Sequence, residues 1–284
     1  MKKAVKVISV LMAIVLIVAS FAACGGTSKE KAKVIDIKIT DESYAFGVDK
    51  NQPELLSQVN SFIKEIKDNG ELDKIFNKYF GDGEPTGIES AVEDSAKDQL
   101  VVATNAAFEP FEYMKGNKYY GIDMEIAAAL AKKLGKELVI KNMDFDAVCL
   151  SVGQHKCDIA MAGLTVNTDR EAYVSFSEAY YQASQKVVVK GDDTTFDNCK
   201  TKEDVEKILN GLDKNVKIGG QQGTTGQSYV EGNESFGFAG LNATFVPYKS
   251  ASLAINDLIN GNINYVIIDE APANAIVKSI NEMA

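Results

Sequence analysis

Between residues 55 and 80, apolar side chains recur at Leu56, Val59, Phe62, Ile63 and Ile66, then at Leu72, Ile75, Phe76 and Tyr79. This three-and-four spacing predicts an amphipathic helix, interrupted at Gly70 and stopped at Gly81. Residues 81–98 lose the periodicity and collect Gly, Pro, Ser and acids, the composition of a linker. From residue 100 the pattern changes. Short apolar runs at 100–104, 137–141, 159–162, 186–189, 216–219, 244–247 and 265–268 alternate with helical patterns at 122–134, 146–152, 202–209, 226–231, 252–259 and 271–280. Such alternation predicts parallel sheets covered by helices, and two runs of it in about 250 residues predict two α/β lobes.

The first residues follow another rule. Lys2, Lys3 and Lys6 precede a stretch without charge from 7 to 21, and Ala22-Ala23-Cys24 follows. A basic start, a short apolar run and small residues before a cut describe a secretory signal over residues 1–23. The run is too short to span a bilayer comfortably. Cys24, directly after the two alanines, is similar to the lipidated cysteine of bacterial lipoproteins, although Phe21 stands where an aliphatic residue is usual. Lipidation at Cys24 would anchor the protein to the membrane, with residues 24–33 as a tether.

Composition narrows the function. Of 30 basic residues one is arginine, Arg170, and there is one histidine, His155, against 40 acids. Loss of residues 1–23 removes three lysines and no acid, so the formal charge falls from −10 to −13. An acidic chain without a basic patch is not a nucleic-acid binder, and one histidine cannot build a multi-histidine metal site. No metal or other cofactor is expected. Three thiols remain after the cut, Cys149, Cys157 and Cys199, so at least one is unpaired.

In open α/β sheets, ligands bind beyond the carboxyl ends of strands. Asn105 and Phe108 follow one predicted strand; Gly163, Thr165 and Arg170 follow another. Gln222 to Thr225 follow a third, and Asp269 ends a fourth. An arginine suits two-pronged capture of a carboxylate, a helix N-terminus after Gly223 suits an anion, and an aspartate suits an ammonium group. Together they complement a zwitterion. Singly they are weak: Arg170 could be a surface charge and Asp269 a helix cap. The Gly223–Gly226 turn has no lysine after its glycine, so it is not a phosphate loop.

The run from Val101 through Thr104-Asn105-Ala106-Ala107-Phe108-Glu109-Pro110-Phe111-Glu112 to Tyr113 resembles the opening of the polar amino-acid-binding proteins of ABC importers. So do Gly121-Ile122-Asp123, Met143-Asp144-Phe145-Asp146, the segment from Ala162 to Arg170, Phe176-Ser177-Glu178-Ala179-Tyr180-Tyr181 and Gln222-Gly223-Thr224-Thr225-Gly226. The resemblance implies a type II, periplasmic-binding-protein-like flytrap with an amino acid held between its lobes. It implies that Arg170 grips the α-carboxylate, helped by backbone around Thr165 and Thr225. Asp269, the Gly163 carbonyl and the Thr165 hydroxyl would take the ammonium, and Ala162 is implied among the ligand-binding residues. Phe108 and Phe145 would sandwich the side chain; Asn105, Gln221 and Thr224 would line its end. That family often has Asp where Asn105 stands here, so the resemblance points to a neutral amino acid.

One feature departs from the family. The segment like Ser43 to Val48, Pro53 to Leu56 and Asp73 to Phe76 ends the family's chains, and here it comes first. This resembles a circular permutation in which residues 82–98 join the usual ends. Lobe 1 is then expected at 43–189, and lobe 2 at 34–42 plus 190–284. The expected protein is a monomeric extracytoplasmic receptor, tied to the membrane by lipidated Cys24, that delivers its amino acid to ABC permease subunits. A dehydratase of cyclohexadienyl acids or a sensor module on the same fold would be the rivals.

Overall fold

The computed structural model describes residues 30–283; the signal and Cys24 lie outside them. The helical period at 55–80 resolves into two helices, Pro53–Asp68 and Glu71–Phe80, because Gly70 adopts φ +74° at the break. The first buries Leu55, Val59, Phe62, Ile63 and Ile66, each contributing about 1.5–3 kcal/mol of apolar transfer free energy when fully covered.

Two five-stranded sheets organise the molecule. One runs Val174–Phe176, Gly47–Asp49, Ile159–Ala160, Gln99–Thr104, Glu137–Asn142; the other runs Ala32–Val34, Gln185–Lys190, Tyr265–Asp269, Lys217–Gln221, Thr244–Tyr248. Each is parallel where strand–helix–strand units follow one another and antiparallel where the chain arrives from the other lobe. The sheets are therefore mixed rather than all-parallel. Gly47–Asp49 and Gln185–Lys190 enter without a crossover helix, and a direct entry leaves them antiparallel to their neighbours.

The chain passes between the sheets twice, and the two passages pair with each other. Glu42–Tyr44 and Tyr181–Ala183 form an antiparallel ribbon, with Tyr44 opposite Tyr181 and Glu42 opposite Ala183. Residues 185–190, expected mostly in lobe 1, pair instead with Tyr265–Asp269 in the second sheet, so the second passage falls at 181–183. Residues 32 and 33, expected in the tether, already belong to a strand. The Asn281 side chain clasps that strand: Oδ1 accepts from the Lys31 and Ala32 amides at 2.9 and 3.4 Å, and Nδ2 donates to the Ala32 carbonyl at 2.9 Å.

The linker-like segment 81–98 is laid along the first lobe. Ile88 exchanges backbone hydrogen bonds with Tyr119 at 2.7 and 2.9 Å, and Ala91 donates to the Leu138 carbonyl at 2.8 Å. It thereby covers the outer strand of that sheet, an edge otherwise open to pairing. Short strands at Ala107–Phe108, Glu112–Lys115 and Lys118–Tyr120 form a meander that carries Phe108 to the cleft. Among the described residues, no helix is long and apolar enough to cross a membrane.

Candidate functional site

Arg170 is placed by its own backbone. Asn167 caps the one-turn helix Thr168–Glu171 and accepts from the Arg170 amide at 2.7 Å. The guanidinium then turns to the cleft, where Nη1 donates to the Thr165 carbonyl at 2.7 Å and Nη2 reaches the Gly223 carbonyl of the other lobe at 3.2 Å. Its carbon stands 5.2 Å from the centre of the Phe145 ring, a cation–π arrangement that a lysine would not reproduce in planar form.

Asp269 ends a buried strand, and its side chain makes no cap bond to the following helix Glu270–Glu282. It turns inward, and Tyr44 donates its hydroxyl to Oδ1 at 2.5 Å. Burial, and then the nearby Glu42 carboxylate, pushes the Asp269 carboxyl up to about 7, against the Tyr44 hydrogen bond that favours its charged form.

Phe108, Phe145, Gly163, Thr165, Arg170, Thr224, Thr225 and Asp269 surround one small pocket. Gly163 has φ +53°, and an added Cβ would meet the Phe108 ring at 3.1 Å, so glycine is what lets the ring pack there. Its amide is already held by the Asp123 carboxylate at 2.9 Å, which also accepts from the Tyr180 hydroxyl at 2.5 Å. Burial raises Asp123 to about 7. Thr224 Oγ1 donates to the Gln221 carbonyl at 2.7 Å, closing the turn before the helix Thr225–Glu231.

Asn105 and Gln221 meet from opposite lobes. Gln221 Nε2 donates to Asn105 Oδ1 at 2.8 Å, and Asn105 Nδ2 donates to the Met143 carbonyl at 2.6 Å. Gln221 Oε1 is buried without a hydrogen-bond partner. Ala162 is not brought to the pocket wall; it packs in the first-lobe core with Ala103, Val148 and Cys149. Cys149, Cys157 and Cys199 are free thiols. No group of three or more His, Cys, Asp or Glu among the described residues is arranged to hold a metal ion.

The lobes are bridged around this pocket by further polar and charged side chains. Asp144 pairs with Lys249, and Gln222 Nε2 donates to Asp146 at 3.2 Å. Asp169 accepts from Asn233 Nδ2 at 2.9 Å and from Ser235 Oγ at 3.0 Å. Their partners lie far away in sequence, so no local signal exposes them. Sequence reasoning also missed Glu42 and Tyr44 as site residues, although their alternation places both on one face of a strand.

Two lobes joined by a paired ribbon, with one cation and one acid facing a shared pocket, define a type II periplasmic binding protein. The chain belongs to the bacterial extracellular solute-binding proteins, family 3, whose model matches residues 4–82 and 100–229. It is 36% identical over 106 residues to the arginine-binding extracellular protein ArtP of Bacillus subtilis, covering 37% of this chain and 42% of that one. It is 30% identical over 186 residues to ABC transporter arginine-binding protein 1 of Escherichia coli, covering 65% of this chain and 69% of that one. Among solved structures it resembles the ancestral amino acid-binding protein AncCDT-1, a precursor of cyclohexadienyl dehydratase. That likeness has a TM-score of 0.53 and 26% identity, and covers 74% of this chain and 78% of the other.

Proposed function

We propose that this protein captures a free amino acid between its lobes outside the cytoplasm and hands it to the permease of an ABC importer. The observation that carries this reading is the placement of Arg170 and Asp269 on one buried pocket. A guanidinium and a carboxylate opposed across so small a space match the carboxylate and ammonium of an α-amino acid. Each ligand charge is then paired, where an unpaired one would be costly to bury. Both relatives above are named for arginine. At the positions read as the side-chain end, Asn105 and Gln221 supply amides rather than a carboxylate, and they bond each other from opposite lobes. We infer a neutral side chain that carries an N–H donor, because Gln221 Oε1 is a buried acceptor left without one. Equilibrium dialysis with labelled L-glutamine and L-arginine tests this: preference for arginine contradicts it.

The bridges between the lobes support hinge closure on the ligand, with the ribbon at 42–44 and 181–183 as the hinge. Cys24, the lipid-bearing residue of this reading, ties a monomeric receptor to the outer face of the membrane. A circular permutation accounts for the chain order. It is supported by the clasp of Asn281 on Ala32, which brings together the places where the family order breaks.

A second reading is catalysis on a cyclohexadienyl acid, favoured by one observation: the Asp269 carboxyl is raised to about 7, a range in which it could donate a proton. Turnover of such a substrate by the purified protein would establish that reading; amino-acid binding without turnover would end it.

A further inference from the structure

The Glu42 carboxyl is 6% exposed and lies one hydroxyl away from the pocket. Its Oε2 accepts from Thr165 Oγ1 at 2.6 Å, and its Oε1 accepts from Thr40 Oγ1 at 2.6 Å and from Gln185 Nε2 at 3.0 Å. Gln185 stands directly opposite Asp269 in the antiparallel pair of strands. Tyr44, two residues beyond Glu42 and on the same face of its strand, donates to Asp269. Glu42 and Asp269 therefore approach one spot from two strands. Among the described residues, no lysine or arginine forms an ion pair with either.

We propose that Glu42 is a positioning residue of the amine site: it holds the Thr165 hydroxyl proton, so that the hydroxyl oxygen faces the ligand's ammonium as an acceptor, and it makes Asp269 give up a proton when the ammonium binds. This rests on the amino-acid reading above. A threonine hydroxyl has one proton, and once that proton is committed to Glu42 the oxygen can only accept. Two carboxyl groups that share a buried site without a cation do not both ionise.

The other groups facing Asp269 supply no positive charge to relieve the pair. Tyr44 and Tyr181 are neutral hydroxyls held so by burial. Glu112 is fully buried, neither of its oxygens has a partner, and burial, with Asp123 and Asp269 nearby, pushes its carboxyl well above the usual carboxylate range. Glu270, next in sequence, is already paired with Lys186 at 2.7 Å. Arg170 is the cation on the pocket wall, and it is engaged with the Thr165 and Gly223 carbonyls. The ligand's ammonium is thus the missing counter-ion. As it enters, the Asp269 O–H bond breaks, the proton leaves to water, and an N–H···O bond forms. A carboxylic acid and an ammonium become an ion pair plus one solvated proton, so atoms and charge balance.

The test is isothermal titration calorimetry of the whole protein with each of the twenty amino acids, in phosphate and in Tris, whose heats of ionisation differ, at pH 6.5 and pH 8. The amino acid that binds is expected to release close to one proton at pH 6.5 and less at pH 8. Its affinity should fall by about tenfold per pH unit below the Asp269 midpoint. Glu42→Gln should lower that midpoint and reduce the protons released at pH 6.5, a change that a merely structural role would not produce. An unchanged midpoint and unchanged release in Glu42→Gln overturn the proposal. Should that variant not fold, the wild-type titration decides alone, since binding without proton release at pH 6.5 is incompatible with the proposal. That outcome leaves the amino-acid reading standing, whereas no binding by any amino acid at either pH removes both.

Discussion

Tyr44 donates its hydroxyl to Asp269 Oδ1 at 2.5 Å, and this bond ties the ribbon between the lobes to the acid at the end of a second-lobe strand. Closure and amine binding therefore share a residue. In Tyr44→Phe the carboxylate loses a hydrogen bond that favours its charged form. Ligand affinity at pH 7 should drop by about tenfold, in line with the loss of one hydrogen bond to a charged group. The pH at which binding is half lost should move upward. Titrations over pH 5.5 to 8.5 check both, and a midpoint that moves down contradicts the arrangement.

Asp123 makes the free protein respond to pH in a direction opposite to that of ordinary surface acids. Its carboxyl is raised from 3.8 to about 7 by burial. Between those values the folded protein holds a proton that the unfolded chain gives up, so this group's contribution to stability falls as pH rises. Urea denaturation of wild type and Asp123→Asn should show the wild type losing ground to the variant between pH 4.5 and pH 7, by roughly 1 kcal/mol per pH unit. A difference that is constant with pH would show that Asp123 is ionised throughout.

Asp169 gathers Asn233 and Ser235 from the facing lobe, and these two donors, Asn233 first, hold its carboxyl below the usual range. The contact is exposed, so its effect is modest. Asp169→Ala should speed ligand release by about three- to tenfold, the equivalent of one weak hydrogen bond, with association little changed. Exchange of labelled ligand against excess unlabelled ligand measures this; an unchanged release rate removes Asp169 from the closing contacts.

Asn281 and Ala32 are 249 residues apart in the chain and hydrogen-bonded in the fold. If residues 82–98 join ends that are separate elsewhere in the family, the chain can be reopened there. A variant that starts near residue 99, runs to residue 284 and continues through a short Gly-Ser link into residues 30–81 should fold and bind like the original. Its melting temperature should lie within several degrees, since permutation at exposed segments is well tolerated. Failure to fold contradicts the permuted origin.

Much of the architecture was legible because it rests on local periodicity. The helix at 53–80 announced itself through Val59, Phe62, Ile63 and Ile66, and its break through Gly70. The central strands stood out as apolar runs between helical patterns. The entry strands Gly47–Asp49 and Gln185–Lys190 were harder to place, because lobe membership depends on pairing partners distant in sequence. The site divided in the same way. Arg170, Asp269, Phe108 and Phe145 follow strands or caps, where chemistry collects in α/β folds, and they meet at one pocket. Ala162 also follows a strand, but its methyl faces the core. Glu42, buried behind the pocket and serving through Thr165, looked like one acid among 40.

Arg170 and Asp269 together account for both charged ends of a bound amino acid. Thermal-shift measurement of wild type and Arg170→Ala against all twenty amino acids tests this most directly. At a hundred times its dissociation constant, a ligand adds about 2.7 kcal/mol to the stability of the folded state. A neutral amino acid with an N–H donor in its side chain should raise the melting temperature of wild type, and Arg170→Ala should show no shift. An Arg170→Ala variant that responds as strongly as wild type, or a wild type that responds to no amino acid, would contradict it.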